Sequence, residues 1–193
     1  GNLPEREPLV VAKWLKDGLH EKIMKKNAGR PAFTLPDGPP YANGDIHIGH
    51  VLNKCLKDFT TKYRNMQGFR APFIPGWDCH GLPIELKVTK ELGSKRKEKS
   101  DGEIRELCRS EALKWVEKQR EQFQRLGVIA DWDHPYLTLQ PEYEAEEVRE
   151  LMAQLGFRKF TDMIGHTELL EMHQALDHYK SLGLDFSKIF HQP

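Results

Sequence analysis

Apolar residues recur at three- and four-residue steps along several stretches of this chain, and elsewhere they come in short runs broken by Gly and Pro. The spacing of Val10, Trp14, Leu15, Leu19 and Ile23 predicts an amphipathic helix over residues 10–24. A strand candidate at residues 32–35 is stopped by Pro36-Asp37-Gly38-Pro39-Pro40, a run with few backbone donors that must bend. From Ile46 to about Met66, the positions of Ile48, Val51, Leu52, Cys55, Leu56 and Phe59 predict a second helix that turns its apolar face to a sheet and ends at Gly68. Residues 71–75 are the next extended run, with a loop at 76–81. Strand, helix and strand in this order predict a right-handed parallel β-α-β unit over residues 32–92.

Residues 93–102 form a basic, polar linker, and Ser100 with Glu103 makes a capping box for a long helix reaching about Leu126. Leu107, Leu113, Val116, Phe123 and Leu126 mark its apolar face, and Gly127 ends it. Residues 128–143 are irregular apart from a strand candidate at 136–139. Helices are expected after that over about 142–155, 161–164 and 171–181.

Composition narrows the class. Hydrophobic residues make up 38% and charged residues 30%, a polar balance that suits long solvated helices or surfaces that meet another part of a larger protein. With 29 basic and 29 acidic residues the chain lacks the overall charge that counterion-release binding to nucleic acid uses, so any RNA contact is local. No run has the apolar length of a membrane span and the start has no signal-peptide core, which points to a cytoplasmic protein. Cys55, Cys79 and Cys108 are widely spaced without a C-x-x-C pair, so reduced thiols are expected, with Cys55 in the core. His166, His173 and His178 lack the spacing and acidic partner of a metal site.

The candidate chemistry lies in residues 37–50 and 76–85. A strand that bends through Gly and Pro into a helix presents backbone N–H groups and the positive helix end to an anion. His47 and His50 sit one turn apart on that first turn, both able to donate to one phosphate, and Gly49 between them keeps the backbone open to adenine or ribose. By themselves two histidines at a helix start also suit a capping arrangement, and Asp78 suits a loop cap. No G-x-x-x-x-G-K-[ST] or G-x-G-x-x-G motif occurs, which leaves P-loop and dinucleotide sites unsupported.

Pro39-Pro40-Tyr41-Ala42-Asn43-Gly44 followed by His47-Ile48-Gly49-His50 resembles the first signature of class I aminoacyl-tRNA synthetases. Gly76-Trp77-Asp78-Cys79-His80-Gly81-Leu82-Pro83-Ile84-Glu85 resembles the isoleucyl branch in particular, whose valyl and leucyl relatives share part of these motifs. The resemblance covers residues 1–143. It implies an α/β fold, the first half of a Rossmann-like nucleotide-binding domain with a parallel β-α-β unit, long helices and a helical C-terminal tail. It implies that His47 and His50 are catalytic, stabilising the ATP phosphates during adenylate formation, and that Tyr41, Asn43, Gly44 and Gly49 help to bind ATP. Pro39, Pro40, Trp77, Asp78 and His80 would bind the amino acid, with Asp78 on its α-ammonium. ATP with Mg²⁺, isoleucine and tRNA are the implied ligands, and no residue is expected to form a separate metal site.

The family's second signature, of K-M-S-K-S type, does not occur in the sequence, and Ser94-Lys95-Arg96-Lys97-Glu98-Lys99-Ser100 reads as a solvated linker. Glu146 to Arg158, Met163 to Thr167 and Gly183 to Ile189 resemble instead a linking segment of the glutamate synthase large subunit, without its cofactor ligands. The chain therefore reads as two parts, residues 1–143 and 144–193, joined near 143–148. Two functions are compatible with it: a catalytic-domain fragment of an isoleucine-tRNA ligase, inactive in full charging, or a non-catalytic chimera serving as a scaffold.

Overall fold

The computed structural model describes residues 2–166. The chain divides into two compact units between Tyr143 and Glu144. The first opens with helices α1 (Leu3–Lys16) and α2 (Leu19–Lys26). The single helix expected over residues 10–24 is thus two, because Gly18 takes a left-handed conformation with φ 59° that breaks the helix between them. Then come α3 (Ile48–Met66), the short strand β1 (Gly76–Trp77), α4 (Leu82–Leu92), a 3-10 helix (Gly93–Glu98), α5 (Asp101–Arg125) and strand β2 (Tyr136–Leu137). The linker expected at 93–102 is thus partly helical.

The pairing is parallel, as the β-α-β order predicts, but its regular part is displaced. Gly76 and Trp77 pair with Tyr136 and Leu137, and isolated parallel bridges join Ala32 to Arg70 and Tyr41 to Asp78. Residues 32–35 and 71–75 are therefore not regular strands, and β1 lies where a loop was expected. The unit is a small parallel scaffold in which the backbone near Tyr41, β1 and β2 run side by side.

Helix α5 begins with the expected capping box, Ser100 accepting from the Glu103 N–H while the Glu103 carboxylate accepts from Ser100 N. Its inner face is Ile104, Ala112, Val116, Gln119 and Phe123, whereas Leu113 and Leu126 are exposed. The main core joins Ala42, Phe73, Trp77, Ile84, Val116, Phe123 and Leu137.

Helix α3 contradicts the expected orientation. Its buried residues are Lys54, Asp58 and Thr61, while Ile48, Leu52, Leu56 and Phe59 face solvent. The polar side is held inside because its partners are there: Asp58 accepts from Lys62 and from the Ile129 N–H at 2.9 Å, and Lys54 reaches Asp37. Cys55 is half-buried rather than in the core, and all three thiols are free.

Helix α6 (Pro141–Gln154) crosses the division between units, and α7 (Phe160–Met163) follows, both within a residue of expectation. In the second unit, Val148, Leu151 and Leu155 are exposed, and the Phe157 ring lies 5.2 Å from that of His166. The helix expected over 171–181, with Leu169, His173 and His178, lies outside the described residues. Among the described residues, no helix is long and apolar enough to cross a membrane.

Candidate functional site

His47 is the N-cap of α3, in extended conformation. Its Nδ1 accepts the Gly49 N–H at 3.1 Å, and the Nδ1 of His50 accepts the His47 N–H at 3.3 Å. Both imidazoles therefore cap the helix. In the neutral ring an accepting Nδ1 puts the proton on Nε2, so each ring keeps one donor at its outer edge. The rings stack with centroids 3.8 Å apart. Burial, followed by the nearby His47 and Lys54, pushes the His50 pKa down, which favours that neutral form. A Cβ on Gly49 would meet the His47 ring at 3.0 Å, so glycine here lets the ring fold back onto the backbone.

The loop before the helix is held from several sides. Asp78 N donates to the Pro40 carbonyl and Ala42 N to the Asp78 carbonyl, each at 2.9 Å. Gln119 donates to the carbonyls of Tyr41 (3.0 Å) and Gly44 (2.7 Å) while accepting the indole N–H of Trp77 at 3.0 Å. Gln122 accepts from Ile46 N at 3.0 Å and donates to Asp45, which also meets Lys118 at 2.8 Å. Lys118, then Gln122, pull the exposed Asp45 carboxyl below its ordinary pKa. Lys87 donates to the Asn43 carbonyl at 3.2 Å. At the root of the loop the buried Asp37 carboxylate accepts from Lys54, from Lys57 at 2.8 Å and from Gly76 N at 3.0 Å.

Asp78 is half-buried, and its Oδ1 accepts the His80 N–H at 3.2 Å, a loop cap that ties it to the exposed His80. Pro39 is half-buried and Pro40 buried, Tyr41 is exposed, and Asn43 and Gly44 are half-buried. Trp77 is 0% exposed and lies in the core against Phe123, so it supports the site from beneath and offers no open surface. Cys79 is buried beside Asp78, and burial pushes its thiol up to about 11.

The family described as tRNA synthetases class I (I, L, M and V) matches residues 9–158. The chain belongs to this synthetase family. It is 55% identical over 159 residues to an isoleucine–tRNA ligase of Bacillus cytotoxicus, covering 81% of this chain and 17% of that protein. An isoleucine–tRNA ligase of Bacillus cereus strain B4264 is 56% identical over the same length and coverage. The chain thus spans about a sixth of the length of these relatives. A LeuRS from Agrobacterium radiobacter K84, solved in a ternary complex with tRNA and LeuAMS, shares the fold with a TM-score of 0.59 at 20% identity, over 78% of this chain and 18% of that one.

In this class I synthetase chain the family match runs to residue 158, past the join expected near 143–148, so residues 146–158 fall within the synthetase match. Gln119, Gln122, Asp37 and Lys54 were not legible as site residues beforehand, although they fix the loop that carries Tyr41 to Gly49. For Gln119 a signal existed: it is the polar member of the series Ala112, Val116, Gln119, Phe123, and a buried polar side chain needs partners.

Proposed function

We propose that this chain is part of an isoleucine-tRNA ligase catalytic domain, the first half of a Rossmann-like nucleotide-binding fold, binding ATP and isoleucine for adenylate formation. The observation that carries the reading is the stacked His47 and His50 pair at the start of α3, each ring capping the helix through Nδ1 and keeping Nε2 as a donor. Two such donors at the positive end of a 19-residue helix suit a phosphate. Tyr41, Asn43, Gly44 and Gly49 would frame the nucleotide. Pro39, Pro40, Asp78 and His80 would receive isoleucine, Asp78 taking its ammonium, with Trp77 supporting them.

In the proposed reaction an isoleucine carboxylate oxygen attacks the α-phosphorus of ATP, and the bond to the β-phosphate oxygen breaks to release pyrophosphate. The protein's part is orientation and hydrogen bonding to the charge that builds on the phosphates. Among the described residues, no group of three or more His, Cys, Asp or Glu could hold a metal. Mg²⁺ would come with the ATP phosphates, where it would neutralise their charge. Transfer to tRNA, and with it a cytoplasmic place of action, belongs to the same proposal. Because the 193 residues contain no K-M-S-K-S segment, we expect them not to complete charging alone. Residues 146–193 would be a segment of glutamate synthase type joined to the synthetase part.

The second reading, a non-catalytic scaffold, is favoured by the capping contacts: Asp78 Oδ1 and both Nδ1 atoms are already spent on backbone N–H groups. Isoleucine-dependent pyrophosphate exchange separates the two. Weak exchange that falls further in His47→Ala, His50→Ala and Asp78→Ala, without charging of isoleucine tRNA, is expected. Robust charging, or exchange indifferent to all three substitutions, would overturn the proposal.

A further inference from the structure

Helix α5 brings Glu111, Trp115 and Lys118 to one face at steps of four and three residues, and α4 supplies Lys87 beside them. The Lys87 ammonium lies 3.8 Å from the centre of the Trp115 ring and that of Lys118 4.7 Å from it, so two cations share one aromatic ring. Each then reaches the loop before the histidines: Lys87 donates to the Asn43 carbonyl at 3.2 Å, and Lys118 meets the Asp45 carboxylate at 2.8 Å. Glu111 completes the group. Its Oε1 accepts the Trp115 indole N–H and lies 2.9 Å from the Lys87 ammonium. Burial acts to raise the Glu111 pKa, but the hydrogen bonds from Lys87 and Trp115 outweigh it and hold the carboxyl below its ordinary value.

We propose that Trp115 and Glu111 are positioning residues for the nucleotide loop, acting through Lys87 and Lys118. A lysine is a point charge on a four-carbon stem, and an ion pair as exposed as that of Lys118 with Asp45 does little to hold its own geometry. A ring face that attracts both ammonium groups removes that freedom. The contacts to the loop are divided: Gln119 and Gln122 of the same helix hold the carbonyls of Tyr41 and Gly44 and the Ile46 N–H, while the two lysines hold the Asn43 carbonyl and, with Gln122, Asp45. An aliphatic residue at position 115 would still pack on the core, as Trp115 does, but would leave both cations without a seat. Two cation–π contacts at half-exposed sites multiply to a factor of about ten. What the loop binds rests on the ligase reading above.

The test is amide hydrogen exchange of the full chain, read at the Ala42 N–H, which donates to the Asp78 carbonyl, and at the Ile46 N–H, which donates to Gln122. Trp115→Leu should speed both about tenfold relative to the amides of Asp58 and Thr61 in α3. Trp115→Phe, which keeps a ring face, should recover most of the parent protection, and Lys87→Met combined with Lys118→Met should reproduce the loss. An isoleucyl-adenylate analogue should bind about tenfold more weakly to Trp115→Leu, with most of the affinity recovered in Trp115→Phe. Equal acceleration in α3 would make Trp115 a packing residue only and overturn the proposal. So would loop exchange that ignores Trp115→Leu, a phenylalanine no better than leucine, or analogue affinity unchanged by Trp115→Leu. If exchange behaves as stated and the analogue does not bind the parent chain at all, the ligase reading falls alone. If the analogue binds and loop exchange is indifferent, the positioning role falls alone.

Discussion

The side-chain carbonyl of Gln119 accepts the indole N–H of Trp77 at 3.0 Å, and neither residue has exposed surface. The amide end of the same side chain donates to the carbonyls of Tyr41 and Gly44, so one residue of α5 joins β1 to the loop before the histidines. Gln119→Leu would leave these groups without a partner, and a buried unpaired polar group costs about 1–3 kcal/mol. Only the Trp77 indole is left fully buried, so we expect a stability loss of about 1–3 kcal/mol by urea denaturation, and weaker binding of an isoleucyl-adenylate analogue. A midpoint equal to that of the parent would show that the clamp does not matter.

Gly76 lies against the ring of Tyr136, where an added Cβ would come within 2.0 Å of the ring carbon that bears the hydroxyl. The ring cannot easily retreat: its hydroxyl donates to the Asp37 carbonyl, and it stacks on Tyr143 at 6.0 Å. Gly76→Ala should destabilise by about 1–3 kcal/mol through overpacking. The double variant Gly76→Ala, Tyr136→Ala should be less destabilised than the sum of the two single changes. Strict additivity in thermal unfolding would count against the contact.

Asp37 and Lys54 form a buried ion pair with almost no exposed side-chain surface. Burial pulls the Lys54 pKa down while the Asp37 charge and hydrogen bond raise it, so the ammonium depends on that carboxylate. Asp37→Asn strands a buried charge and should cost about 3–5 kcal/mol. Asp37→Asn combined with Lys54→Met removes the stranded charge and should recover much of that loss. A double variant less stable than Asp37→Asn would refute the account.

The folded-state pKa of His50 lies below its unfolded value of about 6.5. The unfolded chain therefore takes up the proton first as pH falls, and stability drops from near that value down to the lower folded pKa, below which the loss is complete. His20 shifts the same way, chiefly through burial, against the opposing Asp131 and Glu21 charges. Urea midpoints measured between pH 7.5 and 5 should fall, and His50→Gln should flatten part of that slope. An unchanged slope in His50→Gln would place the linkage elsewhere.

What the sequence determined was local. Helix starts at His47 and Ser100, the capping box with Glu103 and the break after Met66 all follow from caps and glycines within a few residues of each other. The expected strands at 32–35 and 71–75 failed because a strand needs a partner, and the partner of Gly76 and Trp77 is some 60 residues away at Tyr136 and Leu137. Periodicity marked a stripe on α3 but could not say which side faces inward. The tertiary structure decided that, because Asp37 and the Ile129 N–H, far along the chain, satisfy Lys54 and Asp58. Buried charges must follow their partners, whereas an apolar stripe is satisfied by whatever apolar surface meets it.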